Sequence, residues 1–170
     1  MPFVDKAATL IRYTRIKSPV GPLLLVADDA GLRKIHFENG RDRVAPDSSW
    51  KEDDIFFKDT ISQLHSYFAG QLKKFDLPLG PEGTPFQLAV WKHLCEIPYG
   101  TTTSYGELAC RVGNPRASRA VGLANGSNPI PIVIPCHRVI GSNGKLTGYG
   151  GGLPIKEKLL ALERGQLRLL

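Results

Sequence analysis

Two four-residue stretches, Thr84-Pro85-Phe86-Gln87 and Ser104-Tyr105-Gly106-Glu107, constrain the fold more than anything else in the chain. In each, a hydroxyl residue stands three positions before a side chain able to reach back to its backbone. That is the capping box that opens an α-helix. Pro85 strengthens the first start, because proline suits the opening position of a helix. Phe86, Val90 and Leu94 share one face of the first helix, Trp91 adds to the core, and Pro98-Tyr99-Gly100 ends it. In the second helix Leu108, Ala109 and Val112 point inward, and Gly113 stops it. Asn114-Pro115 offers a third start almost at once. Two short helices joined by a tight glycine-containing turn outline a helix-turn-helix.

The third helix is expected to turn Ala117, Ala120, Val121 and Ala124 inward. Arg116 and Arg119 then share another face, and Ser118, Gly122 and Gly126 are small. A slender helix with projecting arginines can approach a nucleic-acid groove closely. A solvated arginine face on a packing helix is the plainer alternative. Charge leans toward the first reading. Of the net charge of +6, residues 1–80 carry 12 basic against 11 acidic side chains, and residues 81–170 carry 10 against 5. A polyanionic partner would meet the second half.

The first half reads as α/β. Leu10–Ile16, Leu23–Val26 and Leu32–Phe37 are strand-like runs separated by turn signals, which predicts a hairpin or meander. Residues 40–52 read as loop. Phe57, Ile61, Leu64 and Phe68 recur at helical spacing, up to a stop at Gly70. Residues 76–84 are rich in Pro and Gly and read as a linker. The expected architecture is an α/β domain over 1–80, a small sheet plus a helix, followed over 81–170 by a mostly helical, winged helix-turn-helix-like domain. No apolar run reaches the roughly 18 residues of a membrane span, and no signal pattern opens the chain. A cytoplasmic protein without a membrane partner is expected.

The chemistry concentrates in Pro135-Cys136-His137-Arg138-Val139, set in an otherwise apolar run. Only three cysteines are present, Cys95, Cys110 and Cys136, with no C-x-x-C pair. Neither a disulfide framework nor a metal site is expected. A thiol reacts as its thiolate, with an ordinary pKa of about 8.5, so a nucleophilic Cys136 needs a base. His137 is adjacent, but neighbouring side chains in extended backbone point opposite ways, which leaves room for a bridging water. The last helix, from Pro154 to Glu163 or Arg164, places Glu163 on its apolar side with Leu159. A buried unpaired carboxylate is costly, so Glu163 needs a partner, and His137 and Arg138 are both candidates. One reading is a relay from Glu163 through His137 and water to Cys136. The other is a structural Glu163–Arg138 ion pair beside an inert thiol. Between them, residues 141–152 are glycine-rich and read as a hairpin or wing, without a phosphate-loop pattern.

The Pro135–Val139 core, preceded by Asn128-Pro129 and Arg119-Ala120-Val121-Gly122, resembles the O6-alkylguanine-DNA alkyltransferases, from about Thr84 to Glu163. The resemblance implies that Cys136 accepts an alkyl group from O6 of a guanine flipped out of double-stranded DNA, once per protein molecule and without a cofactor. O4-alkylthymine is a further substrate it suggests. It implies roles for His137 as water-mediated base, Glu163 as its orienting partner, Tyr105 as proton donor to guanine and Asn128 as holder of the loop. Val139, Tyr149, Gly150, Lys156 and Pro131 would form the substrate pocket. Arg119 would fill the gap left by the flipped base, with Arg116, Ser118, Ala120 and Gly122 along the DNA, and a monomer would suffice. Gly150 stands where some members carry serine. No cysteine precedes Cys95, so the zinc site of some members is not expected. Two rival readings are a cysteine hydrolase, which needs an oxyanion hole and rarely carries a helix-turn-helix beside its nucleophile, and a DNA-binding regulator with a structural thiol, which leaves a buried Glu163 and the Pro135–Val139 segment unexplained.

Overall fold

The computed structural model describes residues 9–39 and 44–170. Leu23-Leu24-Leu25-Val26-Ala27 is apolar at every position, which suits a strand covered on both faces. It is buried throughout as β2 (Leu23–Asp28), flanked antiparallel by β1 (Arg12–Ile16) and β3 (Gly31–Phe37). The expected meander therefore forms. Gly31 opens β3 at φ +130°, where a side chain would collide with the Pro78 carbonyl. A short strand, β4 (Lys51–Glu52), adds parallel to β1, giving the order β3-β2-β1-β4. It lies in the stretch read as loop. Two backbone bonds hold it, Lys51 N to Ile11 O and Asp53 N to Tyr13 O. No apolar pattern is needed for that, so none marked it.

Helix α1 (Lys58–Phe68) buries Leu64, Tyr67 and Phe68 in the same core as Leu23, Leu25 and Ile35. Residues 76–84 are not a free linker. Leu32 N donates to Pro78 O at 2.8 Å and Gly80 N to Leu32 O at 2.9 Å, which lays the segment along β3. Arg33, paired with Asp28 at 2.6 Å, also donates to Gly80 O.

Both capping boxes form, opening α2 (Pro85–Leu94) and α3 (Tyr105–Val112). The next helix, α4 (Ser118–Gly126), starts three residues later than Asn114 would place it. Gly113, at φ +92°, ends α3 and turns Asn114 N back to the Ala109 carbonyl. Asn114 thus closes one helix instead of capping the next. Val121 and Ala124 face inward as expected, but Ala120 is exposed, not inward. The two-residue strands β5 (Thr103–Ser104) and β6 (Val139–Ile140) pair in parallel. That pairing seats the start of α3 beside the segment after Cys136. The hairpin expected over 141–152 does not form; the stretch is loop, turned by Gly141 N to Lys145 O. Helix α5 (Leu153–Glu163) follows. One hydrophobic cluster runs from Val20 to Leu162, so sheet and helices share a core.

Candidate active site around Cys136

Cys136, His137 and Arg138 form a single 3-10 turn, all three buried, instead of the extended backbone assumed from the sequence. Three residues per turn spread consecutive side chains around the axis. Cys136 faces a cavity, while His137 and Arg138 both reach Glu163 on α5. The two partners proposed for that carboxylate are therefore simultaneous. His137 Nε2 lies 2.7 Å from Glu163 Oε1. Arg138 forks onto the carboxylate, Nε to Oε2 and Nη2 to Oε1, each at 2.9 Å. Its Nη1 donates to the Ile97 carbonyl at 2.6 Å. A third partner was not legible in the sequence: Tyr67 of α1 donates its hydroxyl to Oε1 at 2.8 Å. Gly100 N adds a weaker bond to Oε2 at 3.3 Å.

Burial alone would raise the Glu163 carboxyl, but the hydrogen bonds from His137 and Arg138 outweigh it and hold the pKa at about 2. The carboxylate is ionised and only accepts. Nε2 of His137 must then carry its proton, and Nδ1 is left as a bare lone pair. Nδ1 is buried without a hydrogen-bond partner among the described residues. Burial lowers the His137 pKa, against the pull of Glu163, which keeps the imidazole neutral and able to accept a proton. Burial pushes the Cys136 thiol up to about 11, with an Asn128 hydrogen bond and the Lys156 charge opposing it weakly. At rest Cys136 is a thiol, so its proton has to leave as it reacts.

The loop before Cys136 is tightly determined. Asn128 Nδ2 donates to the Ile134 carbonyl at 2.8 Å while its Oδ1 accepts from Ile130 N at 3.0 Å. Within that clasp Ile132 holds φ +74°, a conformation β-branched residues avoid. Such strain persists only where the surroundings impose it, and it gathers at functional sites. Asn125, at the end of α4, donates weakly to the Cys136 carbonyl at 3.4 Å.

In front of Cys136 lies a cavity of about 200 Å³. Asn125, Asn128, Pro131, Tyr149 and Gly150 line it; the resemblance implied a pocket role for Pro131, Tyr149 and Gly150, but for Asn128 only that it holds the loop. Gly126 and Gly148 add to it, and a further wall, Ile35, His36 and Phe37 of β3, comes from the first half and was not foreseen. The Phe37 ring packs on Tyr149 with centroids 5.7 Å apart. Two expected pocket residues do not line this cavity. Lys156 is fully buried behind it and holds the carbonyls of Val139 at 2.7 Å and Thr147 at 2.9 Å. Val139 is likewise behind the wall. Tyr105 stands off the cavity, its hydroxyl 2.7 Å from Thr147 Oγ1. Arg116, Arg119 and Ala120 are exposed on or beside α4, and Ser118 is half-buried. Gly122 faces the Tyr105 ring, which a side-chain carbon there would approach to 3.7 Å. Among the described residues no cluster of His, Cys, Asp or Glu could hold a metal ion, and no helix is long and apolar enough to cross a membrane.

Residues 11–81 match the ribonuclease-like domain of 6-O-methylguanine DNA methyltransferase, and residues 85–165 match its DNA binding domain. The methylated-DNA–protein-cysteine methyltransferase of Methanosarcina acetivorans is 57% identical, over 89% of this chain and 97% of that protein. The chain belongs to the methylated-DNA–protein-cysteine methyltransferase family. Among solved members, the Mycobacterium tuberculosis O6-methylguanine methyltransferase superposes with a TM-score of 0.85 at 48% identity, covering 93% of this chain and 95% of that one. The same organism's OGT in complex with DNA gives 0.83 at 49% identity, covering 91% and 94%. Membership in this methyltransferase family covers both halves, so the β3 wall and Tyr67 belong to the matched region as much as Cys136 does.

Proposed function

We propose that this protein repairs DNA by moving an alkyl group from O6 of guanine in a duplex to the sulfur of Cys136. One observation carries the assignment to that atom. A buried thiol faces a cavity while the adjacent imidazole, locked as its Nε2–H tautomer by Glu163, keeps an unused buried lone pair on Nδ1.

The flipped base enters the cavity, where burial suppresses competing hydrolysis. His137 Nδ1 takes the thiol proton through a bridging water, and the sulfur attacks the alkyl carbon in line. The S–C bond forms as the C–O6 bond breaks. Tyr105 turns its hydroxyl from Thr147 to the base and supplies the proton that keeps the departing guanine neutral. The products are guanine in DNA and an S-alkylcysteine, a thioether that water does not cleave. Each molecule therefore acts once, as a monomer and without a cofactor. O4-alkylthymine is the expected minor substrate.

Arg119 and Arg116 are free of ion pairs and hydrogen bonds to the described residues. Arg119 occupies the stack vacated by the flipped base, Arg116 meets phosphate, and the small residues Ser118, Ala120 and Gly122 allow α4 to approach. Phosphate contacts make binding salt-dependent. The three unpaired cysteines suit a reducing compartment such as the cytoplasm.

The test is incubation with a duplex carrying O6-methylguanine, followed by peptide mapping by mass spectrometry. One methyl on Cys136, at no more than one equivalent per protein, is expected. Turnover beyond one equivalent, or an unmodified Cys136, would sink the reading.

A further inference from the structure

Among the described residues the Tyr105 hydroxyl has one hydrogen-bond partner, Thr147 Oγ1 at 2.7 Å. Thr147 is exposed, so its hydroxyl is not there to satisfy a buried group. The pair is nevertheless held from both sides. Tyr105 opens α3 directly after β5, where Thr103 pairs with Val139 and Ser104 with Ile140. Its ring lies against α4, where a side-chain carbon at Gly122 would already touch it. Thr147 is held through its backbone. The fully buried Lys156 donates to its carbonyl at 2.9 Å and to that of Val139 at 2.7 Å. An ammonium is costly to bury, and the carbonyls it satisfies are those that fix Thr147 against β6. The path from Tyr105 through β5, β6 and Lys156 thus closes on Thr147, and the two hydroxyls meet at a set distance.

The proton transfer gives that meeting a use. When the C–O6 bond breaks, its electron pair stays on O6 and Tyr105 hands its proton to the base. Negative charge then develops on the Tyr105 oxygen, which can only accept. The Thr147 hydroxyl can accept or donate. It accepts from Tyr105 at rest and donates to it once the Tyr105 proton is aimed at guanine. A hydrogen bond to an ionised oxygen is roughly twice as strong as one between neutral groups. The bond therefore strengthens as the transition state is approached, which is the condition for speeding a step.

We propose that Thr147 is a positioning residue for Tyr105: it holds the phenol in place and donates a hydrogen bond to its oxygen as the proton leaves. The inference rests on the alkyl-transfer reading. Thr147 keeps its own proton, the thiol proton goes to His137, and the methyl carbon passes from O6 to sulfur.

The experiment compares two methylations of Cys136, each read by peptide mapping. One uses a duplex carrying O6-methylguanine, at saturating duplex and in a single turnover. The other uses methyl iodide, whose leaving iodide needs no proton. Thr147→Val is expected to slow the duplex reaction about tenfold, as loss of a hydrogen bond to a charged group would give, with little change in duplex affinity. Thr147→Ser should restore most of the rate, and Thr147→Val should add nothing in a Tyr105→Phe background. The methyl iodide rate should not share the loss. Equal slowing of both reactions by Thr147→Val, an unchanged duplex rate, or a full further loss in the Tyr105→Phe background would each overturn the inference. Absence of methyl transfer from the duplex by the wild type would instead overturn the alkyl-transfer reading itself.

Discussion

The two sides of Cys136 are built on opposite principles. Behind it, the Glu163 carboxylate is saturated: it accepts from His137, Arg138, Tyr67 and Gly100, and Arg138 also meets Ile97. In front of it lies the cavity lined by Asn125, Asn128, Pro131, Tyr149 and Gly150 and by Ile35, His36 and Phe37 of β3. A fully satisfied network in a low-dielectric interior is rigid. It can therefore hold one imidazole tautomer through the whole reaction. The cavity, by contrast, leaves room that a ligand has to fill. The comparison separates machinery that must not move from surface that must recognise something new.

Breaking the rear network should have the largest effect. Glu163→Gln leaves Arg138 buried without its countercharge and should cost about 3–5 kcal/mol of stability, read from urea unfolding. The same variant tests the titration. The Glu163 pKa is lowered from 4.5 to about 2, so the folded state binds its proton less readily than the unfolded chain. Its contribution is complete above about 4.5 and is lost as pH falls toward about 2. The unfolding midpoint of the wild type should fall across that window, while the variant lacks this part of the slope. Parallel slopes would show that Glu163 does not titrate this way.

A smaller effect should follow at the seam between the two sides. Lys156→Met strips the ammonium from the carbonyls of Val139 and Thr147. A loss of about 1.5–3 kcal/mol is expected, the range for hydrogen bonds to a charged group. Methyl transfer should slow as well, because the loop carrying Tyr149 is no longer anchored. Unchanged transfer kinetics would separate the seam from the cavity.

Tyr67→Phe should be the mildest, at about 1 kcal/mol for one hydrogen bond. Its value lies in the pH profile of transfer. The Tyr67 hydroxyl competes with His137 for Oε1, and removing it strengthens the Glu163–His137 bond. His137 then becomes more basic, and the acid limb of the rate profile moves to higher pH. A limb that stays put would assign Tyr67 to packing alone.

Legibility followed the range of the interactions. Capping boxes close within four residues, so both helix starts were readable from residue types. Glu163 showed itself because the wheel of α5 puts it beside Leu159. The late start of α4 was missed because Asn114 could either cap it or close α3, and the Gly113 conformation decides between them. β4 left no trace, since a two-residue edge strand needs only backbone bonds. Tyr67 fell outside the helical apolar pattern, and Phe37 read only as the end of a strand. Nothing in a helix or strand pattern says that an inward tyrosine meets a carboxylate 96 positions away.

Cysteine, imidazole, guanidinium and carboxylate were thus available from the residues alone, together with a buried face for Glu163 and two partners competing for it. Local rules also placed Arg119 on an open helical face, whereas Arg116, expected on the same helix, lies exposed in the turn before it. The choice between ion pair and relay depended on the turn at Cys136–Arg138, which lets one carboxylate serve both. The shape of the cavity depended on docking β3 against the loops at Pro129 and Tyr149, where Ile35 N donates to the Pro129 carbonyl at 2.9 Å. Those arrangements come from contacts between segments about a hundred residues apart. Sequence periodicity describes what an element buries, whereas the identity of its partner is settled only when the chain packs.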